Sequence, residues 1–312
     1  MIEVIGLTKR YGSTVAVDDL SFSVQPGCVT GFLGPNGAGK TTTMGMMLGL
    51  MRPTTGHALV NGVPYASLRS PLHTVGALLD ARAVHGGRRA RDHLRWLAQT
   101  NGIARRRVDD VLGVTGLEGV ANRRVGKFSL GMAQRLGIAV ALLGDPAVLM
   151  FDEPVNGLDP EGIRWIRGFL QGLAAEGRTV LVSSHLMSEM ALTAEHLVVI
   201  GRGRLIVDAS VKDVIERGDT RTARVRTPQT AQLCDLLAGH GTPANPQLED
   251  DGALLLRGIA AEAVGEMAAA HGVVLHELIA LRPTLEEAFM DLTETSVEFA
   301  PTVSSTLEQE AQ

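Results

Sequence analysis

Residues 34–42 read Gly34-Pro35-Asn36-Gly37-Ala38-Gly39-Lys40-Thr41-Thr42 and fit the pattern G-x-x-x-x-G-K-[ST]. A segment of this kind can cradle phosphate. Its glycines let backbone N–H groups close around anionic oxygens, and a following helix N-terminus adds a favourable dipole. Lys40 supplies a point charge for the β- and γ-phosphates of a nucleoside triphosphate, and Thr41 offers a hydroxyl to Mg2+. A second reactive pair lies far along the chain. Asp152 closes the apolar run Val148-Leu149-Met150-Phe151, and Glu153 follows it. Adjacent carboxylates at a strand end point in different directions, so one can serve a metal while the other polarises a water for in-line attack on a γ-phosphate. Taken alone, Asp-Glu before Pro154 is equally a capping or turn pair.

The flanking sequence supplies the elements that such chemistry needs. Residues 28–33 read as a short buried strand and residues 42–50 as an apolar helix, a strand–loop–helix setting for the phosphate segment. Strands are expected at 2–5, 20–24 and 57–61. Arg52-Pro53-Thr54-Thr55-Gly56 stops the first helix. Residues 85–145 are helical in pattern, with helices at 91–102 and 107–112. Continuous apolar runs at 147–151, 179–183 and 196–200 read as buried parallel strands with helices between them. The expected fold is α/β, a phosphate-loop domain with a mostly parallel sheet and a helical subdomain.

The pattern changes after residue 216. Strands at 222–226, 242–248, 253–256 and 273–280 alternate with helices at 229–239, 260–271 and 284–292. This β-α-β-β-α-β order, plus a closing helix, predicts a small ferredoxin-like α+β domain over 217–294. The polar tail 295–312 is expected to be disordered.

Composition narrows the class. The 312 residues suggest about two domains, and an apolar fraction of 45% supports sizeable, mainly aliphatic cores. A net charge of −5 gives no argument for nucleic acid or an anionic surface. The two cysteines, Cys28 and Cys234, show no metal-type spacing and fit a reducing compartment. Met1-Ile2-Glu3-Val4 leads into strand-like sequence without a signal-peptide pattern, and no stretch approaches about 18 continuous apolar residues. The expectation is a soluble chain whose membrane role comes from a partner.

Over residues 1 to about 216 the sequence resembles the ATP-binding-cassette (ABC) ATPases. Phe128-Ser129-Leu130-Gly131-Met132-Ala133-Gln134-Arg135 is similar to that family's signature motif, and Asn156-Gly157-Leu158-Asp159 occupies its D-loop position. His185, within Ser183-Ser184-His185, fits the switch histidine. Tyr11 sits where the family places an adenine-stacking aromatic, a core aromatic being the alternative, and Asp80 falls at the usual Q-loop glutamine. The resemblance implies two ATPs sandwiched head to tail between subunits. Ser129 and Gly131 would then serve the ATP of the opposite subunit, and Asp159 would link the two sites. His185 would contact the γ-phosphate and hold the attacking water with Glu153. Asp152, Thr41 and Asp80 would face Mg2+.

Leu130 and Met132 stand where the common signature has Gly and Gln, Asp80 replaces Gln, and the D-loop begins Asn-Gly rather than Ser-Ala. The signature and D-loop departures resemble a branch of drug, antibiotic and lantibiotic exporter ATPases made separately from their permeases. Pro283-Thr284-Leu285-Glu286-Glu287-Ala288-Phe289 resembles the closing helix of that branch's accessory domain. The implied function is an ATPase subunit of an exporter, using ATP and Mg2+ and pairing with itself or a paralogue. It would sit peripherally at the cytoplasmic face of the membrane beside a permease, without nucleic acid. A non-transport cassette ATPase and a resistance or sensing ATPase without flux are the alternatives. Arg88, Arg89, Arg91 and Arg95, and Arg105, Arg106 and Arg107, are either docking surfaces or solvated helix faces.

Overall fold

A computed structural model describes residues 1–217, 222–239, 245–281 and 284–288. The expected disordered tail lies outside these residues. The chain divides into two compact units, one containing residues 1–208 and the other running from Ala209 to Leu292.

The first unit opens with a hairpin of β1 (Ile2–Tyr11) and β2 (Thr14–Val24), both longer than the sequence pattern suggests. Gly12, at φ 60°, supplies the tight turn between them. After β3 (Val29–Leu33) comes α1 (Lys40–Met47), which begins at the lysine itself, and then β4 (Thr55–Val60). β2, β1 and β4 form a three-stranded antiparallel sheet in that order. Its apolar side chains Ile2, Leu7, Leu20 and Phe22 share one core with Phe32 and Met44.

A short α2 (Pro71–Thr74) leads into β5 (Val75–Leu78), a strand not anticipated from the sequence. The helical region holds α3 (Ala90–Thr100), α4 (Arg106–Val114) and α5 (Leu130–Leu142). Ala90, Leu94 and Ala98 are buried at i, i+4 spacing, the stripe that seats α3 on its neighbours. Then follow β6 (Val148–Asp152), α6 (Pro160–Ala175), β7 (Thr179–Ser184), α7 (Met187–Thr193), β8 (His196–Gly201) and β9 (Arg204–Ser210). The large sheet has the order β5-β6-β7-β3-β8-β9, with β5, β6, β7, β3 and β8 parallel. Its central strands are buried on both faces, which is why they read as unbroken apolar runs.

The second unit contains α8 (Val211–Arg217), β10 (Thr222–Arg226), α9 (Thr230–Gly239), β11 (Asn245–Leu248), β12 (Leu254–Arg257), α10 (Ala261–Ala270) and β13 (Glu277–Leu281). The β-α-β-β-α-β succession of β10 to β13 is the one the pattern suggests, and the four strands pair antiparallel in the order β11-β12-β10-β13. The last strand begins at Glu277 rather than 273, because residues 273–276 leave α10 as an irregular segment. Ala223 and Val225 face the core with Leu233, Leu256 and Val264, while Arg224 alternates to the other face. There Arg224 bonds Glu249 at 2.7 Å and also pairs with Asp251 and Glu277. Thr284 and Glu287 cap each other's backbone at the start of the closing helix, which is described only to Ala288.

Candidate nucleotide-binding site

Strand register gathers the site. Leu33 pairs with Ser184 across β3 and β7, and Asp152 pairs with Ser183 across β6 and β7. The phosphate segment, the carboxylate pair and the end of β7 therefore emerge together at the carboxyl edge of the parallel sheet, where such folds bind ligands.

The loop closes because two glycines accept positions no side chain could share. A Cβ on Gly34 would lie 2.5 Å from the Ile200 carbonyl oxygen. One on Gly39, whose φ is 102°, would lie 2.6 Å from that of Ala16. The resulting cleft has a volume of about 340 Å3 and is lined by Ala16, residues 35–42, Asp152 and Glu153. Lys40 is only 7% exposed, and its Nζ donates to the Gly34 carbonyl at 2.5 Å. Burial lowers the pKa of this amine, while Glu153 and Asp152 pull it back up. A buried cation that rests on a loop carbonyl can exchange it for a phosphate oxygen.

One buried hydroxyl organises both acids. Ser183 Oγ donates to Asp152 Oδ1 and accepts the Glu153 amide N–H at 3.0 Å. Thr41 Oγ1 donates to the other oxygen of Asp152 at 2.8 Å. Among the described residues no cluster of three or more His, Cys, Asp or Glu could hold a metal ion. A cation here would take one or two hard protein oxygens, from Thr41 and Asp152, and complete its shell with phosphate and water. That donor set suits Mg2+.

Glu153 has φ 49°, a left-handed conformation that costs a non-glycine residue about 1–3 kcal/mol. Its Oε2 lies 2.8 Å from His185 Nδ1. Behind it, the buried Gln134 on α5 donates from Nε2 to the carbonyls of Glu153 and Asn156, at 3.3 Å each. Sequence reasoning includes Ser183 and Gln134 in the motif segments but assigns neither a role. The signal each carries is that of a polar residue inside an otherwise apolar strand or helix.

The other expected site residues stand apart from the cleft lining. Ser129 is exposed and caps α5 by accepting from Met132 N–H at 3.2 Å. A Cβ on Gly131 would lie 3.2 Å from the Gly157 carbonyl. Asp159 caps α6, accepting from Gly162 N–H at 2.8 Å. Asp80 is exposed and accepts the Arg82 amide at 2.8 Å, a local turn contact. Tyr11 is half exposed, donates its hydroxyl to Met51 Sδ at 3.1 Å and lies under Lys9. Several members of the arginine clusters bond within the chain. Arg91 pairs with Asp109, Arg107 donates to the Leu142 carbonyl at 3.0 Å, and Arg88 stacks 4.7 Å from the Trp96 ring centre.

Fold and cleft together define a phosphate-loop α/β nucleotide-binding protein. A family model described as ABC transporter matches residues 17–156, and another, described as a domain of unknown function, matches residues 221–286. The uncharacterized ABC transporter ATP-binding protein YhcH of Bacillus subtilis (strain 168) is 36% identical over 302 residues, 94% of this chain and 96% of its own length. The bacitracin transport ATP-binding protein BcrA of Bacillus licheniformis is 42% identical over 209 residues, covering 66% of this chain and 68% of the relative. A solved structure of an ATP-binding subunit of an ABC transporter superposes with a TM-score of 0.64 at 27% identity, over 70% of this chain and 92% of that one. The chain belongs to the ABC transporter family, among its ATP-binding ATPase subunits. No described helix is long and apolar enough to cross a membrane.

Proposed function

We propose that this chain hydrolyses ATP to power a separate membrane permease, in an exporter of antibiotics or related compounds. The observation that carries the hydrolytic reading is the Thr41–Asp152–Ser183–Glu153 chain of hydrogen bonds at the mouth of the phosphate cleft. Similarity to a bacitracin transport ATP-binding protein supports the choice of cargo class.

In this reading the backbone N–H groups of residues 34–42, Pro35 apart, and Lys40 hold the β- and γ-phosphates. Mg2+, held by Thr41 and Asp152, would neutralise charge developing on the phosphate oxygens. The Glu153 carboxylate accepts a proton from the attacking water, and His185 orients that carboxylate through its Nδ1 contact. Two chains, or one chain and a paralogue, pair head to tail. Ser129 and Gly131 of each then meet the ATP held by the other, Tyr11 stacks on the adenine, and Asp159 links the two sites. Asp80 keeps the Arg82 amide on Oδ1 and offers its other carboxylate oxygen to metal-bound water. The second unit is a ferredoxin-like accessory domain, and the assembly sits peripherally on the cytoplasmic face of the membrane.

The test is isolation of the tagged chain from detergent-solubilised membranes of its own cells. Recovery with a polytopic membrane protein, whose presence stimulates phosphate release from ATP, is the expected result. Recovery with ribosomes or DNA in its place would overturn the transport reading.

A further inference from the structure

The backbone of Glu153 is gripped from two sides. Ser183 takes its N–H, and Gln134 donates to its carbonyl. That carbonyl also accepts the Asn156 amide at 3.2 Å, closing a turn over residues 153–156. The Gln134 amide straddles the turn, with one Nε2 bonding the carbonyls at both ends, of Glu153 and Asn156.

This contact is expensive to keep. Gln134 is only 6% exposed, and its Oε1 has no hydrogen-bond partner among the described residues. The orientation follows from its neighbours, because the reversed amide would set oxygen against two carbonyl oxygens. An apolar residue would avoid the orphaned oxygen but would lose both hydrogen bonds from α5 to the turn. The same loop is held to α5 at a second point. A Cβ on Gly157 would lie 2.2 Å from Leu130 Cδ2, so the leucine occupies the space that a larger residue at 157 would need.

We propose that Gln134 is a positioning residue that aims the Glu153 carboxylate and ties it to α5, the helix that Ser129 caps. A shift at the start of α5 would be carried by Gln134 to the turn that bears Glu153. This inference rests on Glu153 being the group that activates water. It would let contact of Ser129 with a second subunit's nucleotide set the reactivity of this subunit's own site.

The test uses the full-length chain and single-turnover phosphate release. Gln134→Met keeps length and volume without the donor. It should lower the rate roughly 10- to 100-fold, the scale of small misalignments of a reacting group, with ATP affinity held within about twofold. In the Glu153→Gln background the same substitution should cost nothing further. Gln134→Glu guards against a folding defect in the methionine variant. Its carboxyl can donate to a carbonyl only when protonated, so its rate relative to the parent should rise as pH falls. An undiminished further loss in the Glu153→Gln background, or a parallel loss of ATP affinity, would overturn the positioning role. A flat relative pH profile for Gln134→Glu would do the same. Near-parental turnover by Glu153→Gln alone would instead remove the reading of Glu153, and this inference with it.

Discussion

His185 Nδ1 lies 2.8 Å from Glu153 Oε2, joining the end of β7 to the residue that follows β6. The sheet register sets up this contact: Asp152 and Ser183 are paired partners, and Glu153, one residue on, and His185, two residues on, leave the sheet at the same edge. We expect Glu153→Gln to bind ATP and to associate in its presence, while hydrolysis falls by about 10²–10⁴. His185→Ala should lower hydrolysis as well, and the double variant should fall little below Glu153→Gln, because the two side chains act as a unit. Phosphate release measured alongside nucleotide binding checks both. Near-normal turnover in Glu153→Gln would exclude it as the base.

Ser183 is fully buried and serves both acids with one hydroxyl. Ser183→Ala leaves the Glu153 amide and one Asp152 oxygen without their partner. A loss of about 1–3 kcal/mol is expected from such unsatisfied groups. Denaturant unfolding reads this loss, and a Mg2+ titration of the ATPase should show a raised half-saturation concentration.

Lys40 is a buried cation whose company is the loop carbonyls of Gly34 and Pro35 and two nearby acids. Lys40→Ala should abolish detectable ATP binding. Because each half-site needs the nucleotide to recruit its counterpart, ATP-driven subunit association should vanish too. Light scattering with and without ATP gives the answer, and unchanged association would count against the sandwich arrangement.

Gly39 combines φ 102° with a neighbouring carbonyl 2.6 Å from where a Cβ would sit. Gly39→Ala should therefore strain the loop by at least about 1–3 kcal/mol and reshape the phosphate cradle. Gly177 is a useful contrast, with φ 87° but open space around it. Gly177→Ala should cost conformational strain alone and leave ATP affinity unchanged. Thermal melting and nucleotide titration separate the two effects.

His93 titrates below its usual range, first because it is partly buried and second because Arg88 lies beside it. The unfolded chain then binds more protons than the folded chain between the lowered pKa and the ordinary histidine value of about 6.5. The stability contributed by neutral His93 is complete above that value and is lost as pH falls through the window beneath it. His93→Gln should flatten this part of the stability curve, as followed by urea unfolding at several pH values. An unchanged slope would remove His93 as its source.

Much of the site is legible in the sequence because its chemistry demands contiguous residues. Residues 34–42 must supply successive amides, glycines and a lysine at set intervals, and Asp152-Glu153 must close a buried strand. The parallel strands β6, β7 and β8 are legible for a related reason: burial on both faces leaves an unbroken apolar run. β5 is not legible, because a four-residue strand containing Gly76 gives too little pattern. The start of β13 is blurred because residues 273–275 are as apolar as the strand beyond them.

What depended on tertiary structure was every relation between distant segments. No local pattern reveals that Ser183 faces Asp152, since that follows from β7 lying between β6 and β3 in the sheet. The forked bond from Gln134 to the turn after Glu153 is equally invisible in one dimension, because helix packing alone brings α5 across that turn. The sequence by itself determined which groups bind phosphate and carry acid–base chemistry, for those roles are written in residue type and spacing. The tertiary structure decided how the groups are aimed, because orientation comes from register, packing and hydrogen bonds between elements far apart in the chain.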